Sequence, residues 1–154
     1  MVVGVDGSAG SLAALRVALT EGAARGVPVQ VVTAWLPGPP MRNTPPERAY
    51  LAGAEGAIAL QNAALDEVLG DGGSDLPEIA RAVVQDIGGP SLVEAARKAQ
   101  LLVVGNGRKG PLTRAFLGSV SEYCVRHAVV PVLVVPDPAR VEADARRLAA
   151  SARI

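Results

Sequence analysis

The residues whose types and spacing point to chemistry are glycines, two cations and a serine late in the chain. An apolar run, Leu101-Leu102-Val103-Val104, ends in Gly105-Asn106-Gly107-Arg108-Lys109-Gly110, and Gly118-Ser119 follow after a short interval. Glycine permits positive φ and lets backbone approach a ligand closely. Successive free N–H groups in such a loop form an anion-binding concavity, and a helix start around Leu117-Gly118-Ser119 adds unpaired N–H groups and a favourable dipole. The chemistry predicted is phosphate binding, although a glycine-rich turn without a ligand has the same local composition. A second unusual turn, Asp6-Gly7-Ser8, stands near the start. Taken alone it reads as an Asx turn that ends a strand.

These turns need strands and helices to position them. Val2-Val3-Gly4-Val5, Val29 to Ala34, Ile79 to Val84, Leu101 to Val104 and Val132 to Val135 are apolar runs without strict alternation, as expected of strands buried on both faces. Helical patterns separate them. The first carries Leu12, Leu15, Val17, Ala18 and Leu19 on one face and stops at Gly26-Val27-Pro28. The second, Glu47 to Leu69, has Tyr50, Ala54, Ile58, Leu65, Val68 and Leu69 as inward candidates. The third opens at Gly88-Gly89-Pro90-Ser91, where Ser91 and Glu94 have capping-box spacing, and ends near Lys98. A fourth carries Val120, Cys124 and His127. Leu36 to Pro46 and Gly70 to Asp75 read as loops, and residues 137–154 as an appended helix. Five strands alternating with helices predict an α/β fold with an open, doubly wound parallel sheet and helices on both faces. Ligands of such sheets sit beyond the carboxyl ends of the strands, where strand order reverses. The turns after strands one and four are therefore expected to meet.

Bulk properties narrow the function classes. The chain has 154 residues, enough for one domain with a real core, and 49% of them are hydrophobic. Its formal net charge is zero, which argues against nucleic acid as a partner. The single cysteine, Cys124, leaves no intrachain disulfide. Neither a signal peptide nor an apolar run near the roughly 18 residues of a membrane span is visible. The expectation is a soluble, cytoplasmic protein with no membrane partner.

Val3-Gly4-Val5-Asp6-Gly7-Ser8, Val103-Val104-Gly105, Leu117-Gly118-Ser119-Val120-Ser121-Glu122, Arg126-His127-Ala128 and Pro131-Val132-Leu133-Val134-Val135 occur in the order and spacing of a known family. Together they resemble the universal stress proteins, over nearly the whole chain to about Pro136. The resemblance implies a universal stress protein domain over 1–136, Rossmann-like and of the adenine nucleotide alpha hydrolase-like kind. It implies ATP binding with Mg2+ riding on the phosphates and a stress-response or signalling homodimer paired through Val132, Leu133, Val134 and Val135; no general base or paired carboxylates stand out near the loop, so little or slow hydrolysis is expected. Asp6 would face the adenine or ribose, with Gly7 and Ser8 in its turn, and backbone near Ala34 would line the adenine. Gly105, Gly107, Gly110, Gly118, Ser119 and Val120 would hold ribose and phosphates. The nucleotide-binding branch has glycine, two residues, glycine, nine residues, then Gly-Ser or Gly-Thr. Here Gly105 and Gly118-Ser119 fit, but Arg108 occupies the middle glycine position. Arg108 and Lys109 supply cations that can pair with phosphate oxygens. Alternatively, Arg108 marks a lost site in a nucleotide-free dimerisation module of the same fold.

Other motifs have plainer explanations. Gly105 to Gly110 matches the dinucleotide fingerprint, but that motif belongs in the first strand-to-helix turn with an acidic residue about 20 positions on. Only Asp137 is available after the next strand. The Gly-Lys-Ser/Thr ending of a P-loop is absent. Cys124 and His127 could form a reactive pair, yet Leu117, Val120, Cys124 and His127 recur at helical spacing. That makes Cys124 a core residue and His127 a helix-end residue. One histidine and one cysteine are too few to hold a metal, and no metal-binding or catalytic residues are expected.

Overall fold

A computed structural model describes residues 1–37, 46–70, 75–106 and 117–151. In chain order the elements are β1 (Val2–Gly4), α1 (Ala9–Arg25), β2 (Val29–Trp35), α2 (Pro46–Leu69), β3 (Ile79–Gln85), α3 (Gly88–Ala95), β4 (Leu102–Gly105), α4 (Ser119–His127), β5 (Val132–Val135) and α5 (Pro138–Ser151), with a short 3-10 turn at Ala96–Lys98. The strands form one parallel sheet in the order β3-β2-β1-β4-β5. Strand order reverses between β1 and β4, so the carboxyl ends of these two strands open a crevice.

The absence of strict alternation in the strands has a direct structural cause. Val3, Val5, Val29, Val31, Leu101, Val103 and Val135 pack on one side of the sheet against α1 and α2, with Ala14, Leu15, Ala18, Leu19, Ala64 and Leu65. Val2, Val32, Leu102 and Val104 pack on the other side with Leu92 and Ala96 of the α3 segment and Cys124 of α4. Each fully buried Val or Leu contributes roughly 1.5–3 kcal/mol through removal from water. Two layers of such residues hold the β1 and β4 ends in place. α1 stops at Gly26, whose left-handed φ of 62° lets Val27 N–H reach Gly22 O at 3.0 Å.

Several sequence expectations need correction. Ile58 is exposed; the buried stripe of α2 is Ala57, Gln61, Ala64 and Leu65, one position round the helix. Gln61 is inside because its side-chain amide donates toward Val31 O, Thr33 Oγ1 and Ala82 O at 3.0–3.2 Å and accepts from Arg81 Nε at 3.1 Å. A buried amide so fully bonded carries no desolvation penalty for unmet groups. Ser91 does not cap α3, which starts three residues earlier after Ile87; the Ser91 hydroxyl instead donates to Ile87 O at 3.0 Å. β1 stops at Gly4, although Val5 N–H still donates to Val32 O at 2.9 Å. The Tyr50 side chain and most of the expected loop from Leu36 to Pro46 lie outside the described residues.

Candidate functional site

The crevice at the β1/β4 switch holds a cavity of about 280 Å³. Gly4, Val5, Val32, Val104 and Gly105 form its sheet floor, Asp6, Ser8 and Ser11 one wall, Gly118 to Ser121 the opposite wall, and Ala34, Gly88 and Leu92 the rest. Among the described lining residues, Asp6 is the one ionisable side chain.

The wall built from the first turn is tied to itself. Gly7 has a φ of 78°, which glycine adopts without strain, and its outer side faces Leu60 of α2. Asp6 Oδ1 accepts Ser8 N–H at 3.0 Å and the Ser8 hydroxyl at 2.6 Å. Ser8 Oγ also accepts Ser11 N–H at 3.2 Å, capping α1, while the Ser11 hydroxyl donates to Ser8 O at 3.0 Å. Desolvation pushes the Asp6 carboxyl upward, but the hydrogen bonds from Ser8, with smaller help from Ser11 and its own N–H, outweigh it. Asp6 is therefore held below its ordinary value of 3.8 and stays an ionised acceptor at neutral pH.

The opposite wall is different. Gly118 is the N-cap of α4, with φ −63° and ψ 157°, and no side chain caps that end. The first intrahelical bond is Glu122 N–H to Gly118 O at 2.8 Å. The N–H groups of Ser119, Val120 and Ser121 therefore have no acceptor within the helix. They form the positive end of the α4 dipole at the cavity wall. The Ser121 hydroxyl donates to Gly118 O at 2.9 Å, and Asn106 Oδ1 accepts Gly118 N–H at 3.2 Å.

The third contribution comes from β2. Gln30 N–H donates to Met1 O and Val5 N–H to Val32 O, both at 2.9 Å, so even-numbered residues of β2 turn their peptide groups toward β1. Ala34 is the next of these, but β1 has ended, and the Val5 carbonyl accepts the Thr33 hydroxyl at 3.0 Å. Ala34 thus turns a donor and an acceptor toward the cavity beyond the end of β1.

Of the residues expected from sequence, Asp6, Ser8, Ala34, Gly105, Gly118, Ser119 and Val120 line this cavity, while Gly7 shapes the turn but faces α2. Gly107, Arg108, Lys109 and Gly110 lie outside the described residues. Gly105 has a packing reason besides the ligand approach expected of it. Its φ is not positive, and a Cβ there would overlap the backbone of Gly10 and come within 2.6 Å of Ser11 N. Gly105 lets α1 sit directly on the end of β4. Sequence reasoning gave no site role to Ser11, Ser121, Leu92, Gly88 or Asn106: no motif marks Ser11 or Leu92, Ser121 and Gly88 stood in motifs read for family pattern and helix start, and Asn106 was hidden inside the false dinucleotide fingerprint. Asp137 belongs to α5 rather than to a ribose, since its Oδ1 accepts Ala139 N–H at 2.9 Å.

The Cys124 and His127 pair does not form. Cys124 is fully buried, and burial pushes its thiol up to about 11, away from the reactive thiolate. His127 ends α4 with its ring centroid 4.2 Å from that of Tyr123. The buried positions of α4 are Ser121 and Cys124, whereas Val120 is partly exposed at the cavity wall.

This architecture and site can be set beside known proteins. The chain matches the model of the Universal stress protein family over residues 1–136. It belongs to that family. A universal stress protein of Mycobacterium tuberculosis is 36% identical over 138 residues, which cover 87% of this chain and 44% of the relative. The chain spans about half the length of the curated relatives it matches. A universal stress protein solved in complex with cAMP is 32% identical, with a TM-score of 0.62 over 87% of this chain and 93% of that one. UspA from Lactobacillus plantarum shares the fold at 20% identity, with a TM-score of 0.68 over 87% of this chain and 94% of that one. Rossmann-like universal stress proteins thus share the parallel sheet described above. No described helix is long and apolar enough to cross a membrane.

Proposed function

We propose that this universal stress protein domain binds an adenine nucleotide in the β1/β4 crevice and works as a binding and signalling unit rather than a fast enzyme. The observation that carries the reading is the pairing of unlike walls around one cavity. On one side stands the open N-terminus of α4, suited to a phosphate; on the other stand the ionised Asp6 and the Ala34 peptide, suited to a ribose and a base. The cAMP complex of the 32% identical relative supports an adenine ligand. In this reading the nucleotide is ATP, with Mg2+ held mainly by phosphate oxygens and water. In the same reading Gly107, Arg108 and Gly110, which lie between β4 and α4 in sequence, contribute to phosphate binding. Among the described lining residues Asp6 is the one ionisable side chain, so those residues offer it no second partner for general acid–base catalysis. In this reading turnover is slow or absent.

The same reading makes the protein a cytoplasmic stress-response homodimer. β5 lies at the sheet edge, with Leu133 exposed and Val132 and Val134 half-buried. A free apolar edge is a template for pairing with a second copy. Residues 137–154 form an extension to the domain at 1–136.

Thermal melting with ATP, AMP or cAMP, each with Mg2+, tests the nucleotide reading. A ligand at about 100 times its Kd adds roughly 2.7 kcal/mol to the native state, which raises the melting temperature by several degrees. No shift with any nucleotide at millimolar concentration overturns it in favour of a nucleotide-free dimerisation module.

A further inference from the structure

The phosphate wall is useful only if the first turn of α4 is held at a set distance from the sheet, and one side chain outside the cavity lining does this. Asn106 follows β4 directly. Its N–H donates to Val135 O at the end of β5 at 2.8 Å, and its carbonyl carbon and oxygen pack on the first turn of α1, 3.3–3.5 Å from where a Cβ on Gly10 would stand. Anchored by β4, β5 and α1, Asn106 reaches across to the N-cap of α4, where its Oδ1 accepts Gly118 N–H at 3.2 Å. Only the amide oxygen can make this contact, because Gly118 is the donor. The contact joins two residues twelve apart in sequence and fixes where α4 begins. It also takes up the Gly118 N–H, so that the groups left for an anion are those of Ser119, Val120 and Ser121.

We infer that Asn106 is a positioning residue that aims the N–H groups of the α4 first turn at the phosphate of a bound nucleotide, without touching the ligand itself. The inference rests on the nucleotide reading of the crevice. It goes further in assigning phosphate affinity, separately from base and ribose affinity, to a side chain on the opposite end of the connecting segment.

The test uses Asn106→Ala and Asn106→Asp in the full chain, with AMP and adenosine as probes for calorimetry and amide exchange of Gly118 followed by NMR. Losing one aimed hydrogen bond in Asn106→Ala is expected to weaken AMP about tenfold, leave adenosine unchanged, and speed Gly118 exchange in the free protein. Asn106→Asp retains an acceptor and therefore slow Gly118 exchange. Its added charge weakens AMP in a way that added salt relieves. Equal weakening of AMP and adenosine in Asn106→Ala would make the residue merely structural and overturn the inference. So would unchanged AMP affinity, or unchanged Gly118 exchange. Failure of the unsubstituted protein to bind either probe would overturn the nucleotide reading itself, and this inference with it.

Discussion

Two helices begin at the same rim of the sheet, and their first turns are finished in opposite ways. α1 is closed by its own chain: Ser8 caps it, Asp6 holds Ser8, and the Ser11 hydroxyl returns to Ser8 O. α4 starts at a glycine with no side-chain cap and leaves three N–H groups without helical acceptors. A self-satisfied helix end stabilises the fold and presents a shaped wall. An open end at a cavity costs some stability until an anion completes it. The contrast separates a first turn whose N–H groups are met by its own chain from one whose N–H groups are open at the cavity wall.

Substitutions can break or sharpen this contrast. The largest effect is expected at Gly105, which sits directly against the first turn of α1 and precedes Asn106, the residue that holds the start of α4. Gly105→Val drives a side chain into the Gly10 backbone, a neighbour that cannot rotate away. Overpacking of this kind costs about 1–3 kcal/mol or more. Chemical denaturation should show that loss together with weakened AMP binding; unchanged stability would mean that α1 and β4 are not in contact there. Ser8→Ala should separate the walls. It removes the α1 cap and costs about 1 kcal/mol, while AMP affinity falls less than in Asn106→Ala. A larger fall in Ser8→Ala would reverse the assignment of the two walls.

The smallest effect concerns pH. The folded-state pKa of Asp6 lies below its unfolded value, so its contribution is fully present above the ordinary value of 3.8 and is lost as pH falls through the lower folded value. Removing the Ser8 hydroxyl in Ser8→Ala should move the Asp6 titration upward. Carboxyl-carbon NMR reads this directly, and an unmoved midpoint would show that the hydroxyl does not hold the carboxylate.

Much of this was legible without coordinates because it is encoded locally. Uniformly apolar runs signal strands covered on both faces, and Val3, Val31 and Val103 on one face with Val2, Val32 and Leu102 on the other satisfy that pattern. Asp6 and Gly118-Ser119 were recognisable because turn and helix-start chemistry depends on neighbours in sequence. Ile58 was misjudged because α2 is Ala-rich, and with small residues all round, several faces fit a helical period equally well. The buried face was then chosen by a polar group, Gln61, whose partners are strand atoms 20 to 30 positions away.

By itself the amino-acid order determined the alternation of strands and helices, the two exceptional turns and the family pattern, since these follow from backbone preferences and from burial repeated at short range. Only the tertiary structure decided that Gly105 serves helix packing, that Gly7 turns away from the crevice, and that Asn106 holds the start of α4. Those roles are set by which atoms meet after the chain crosses over the sheet. A contact between residues distant in sequence leaves no periodic or compositional mark on either.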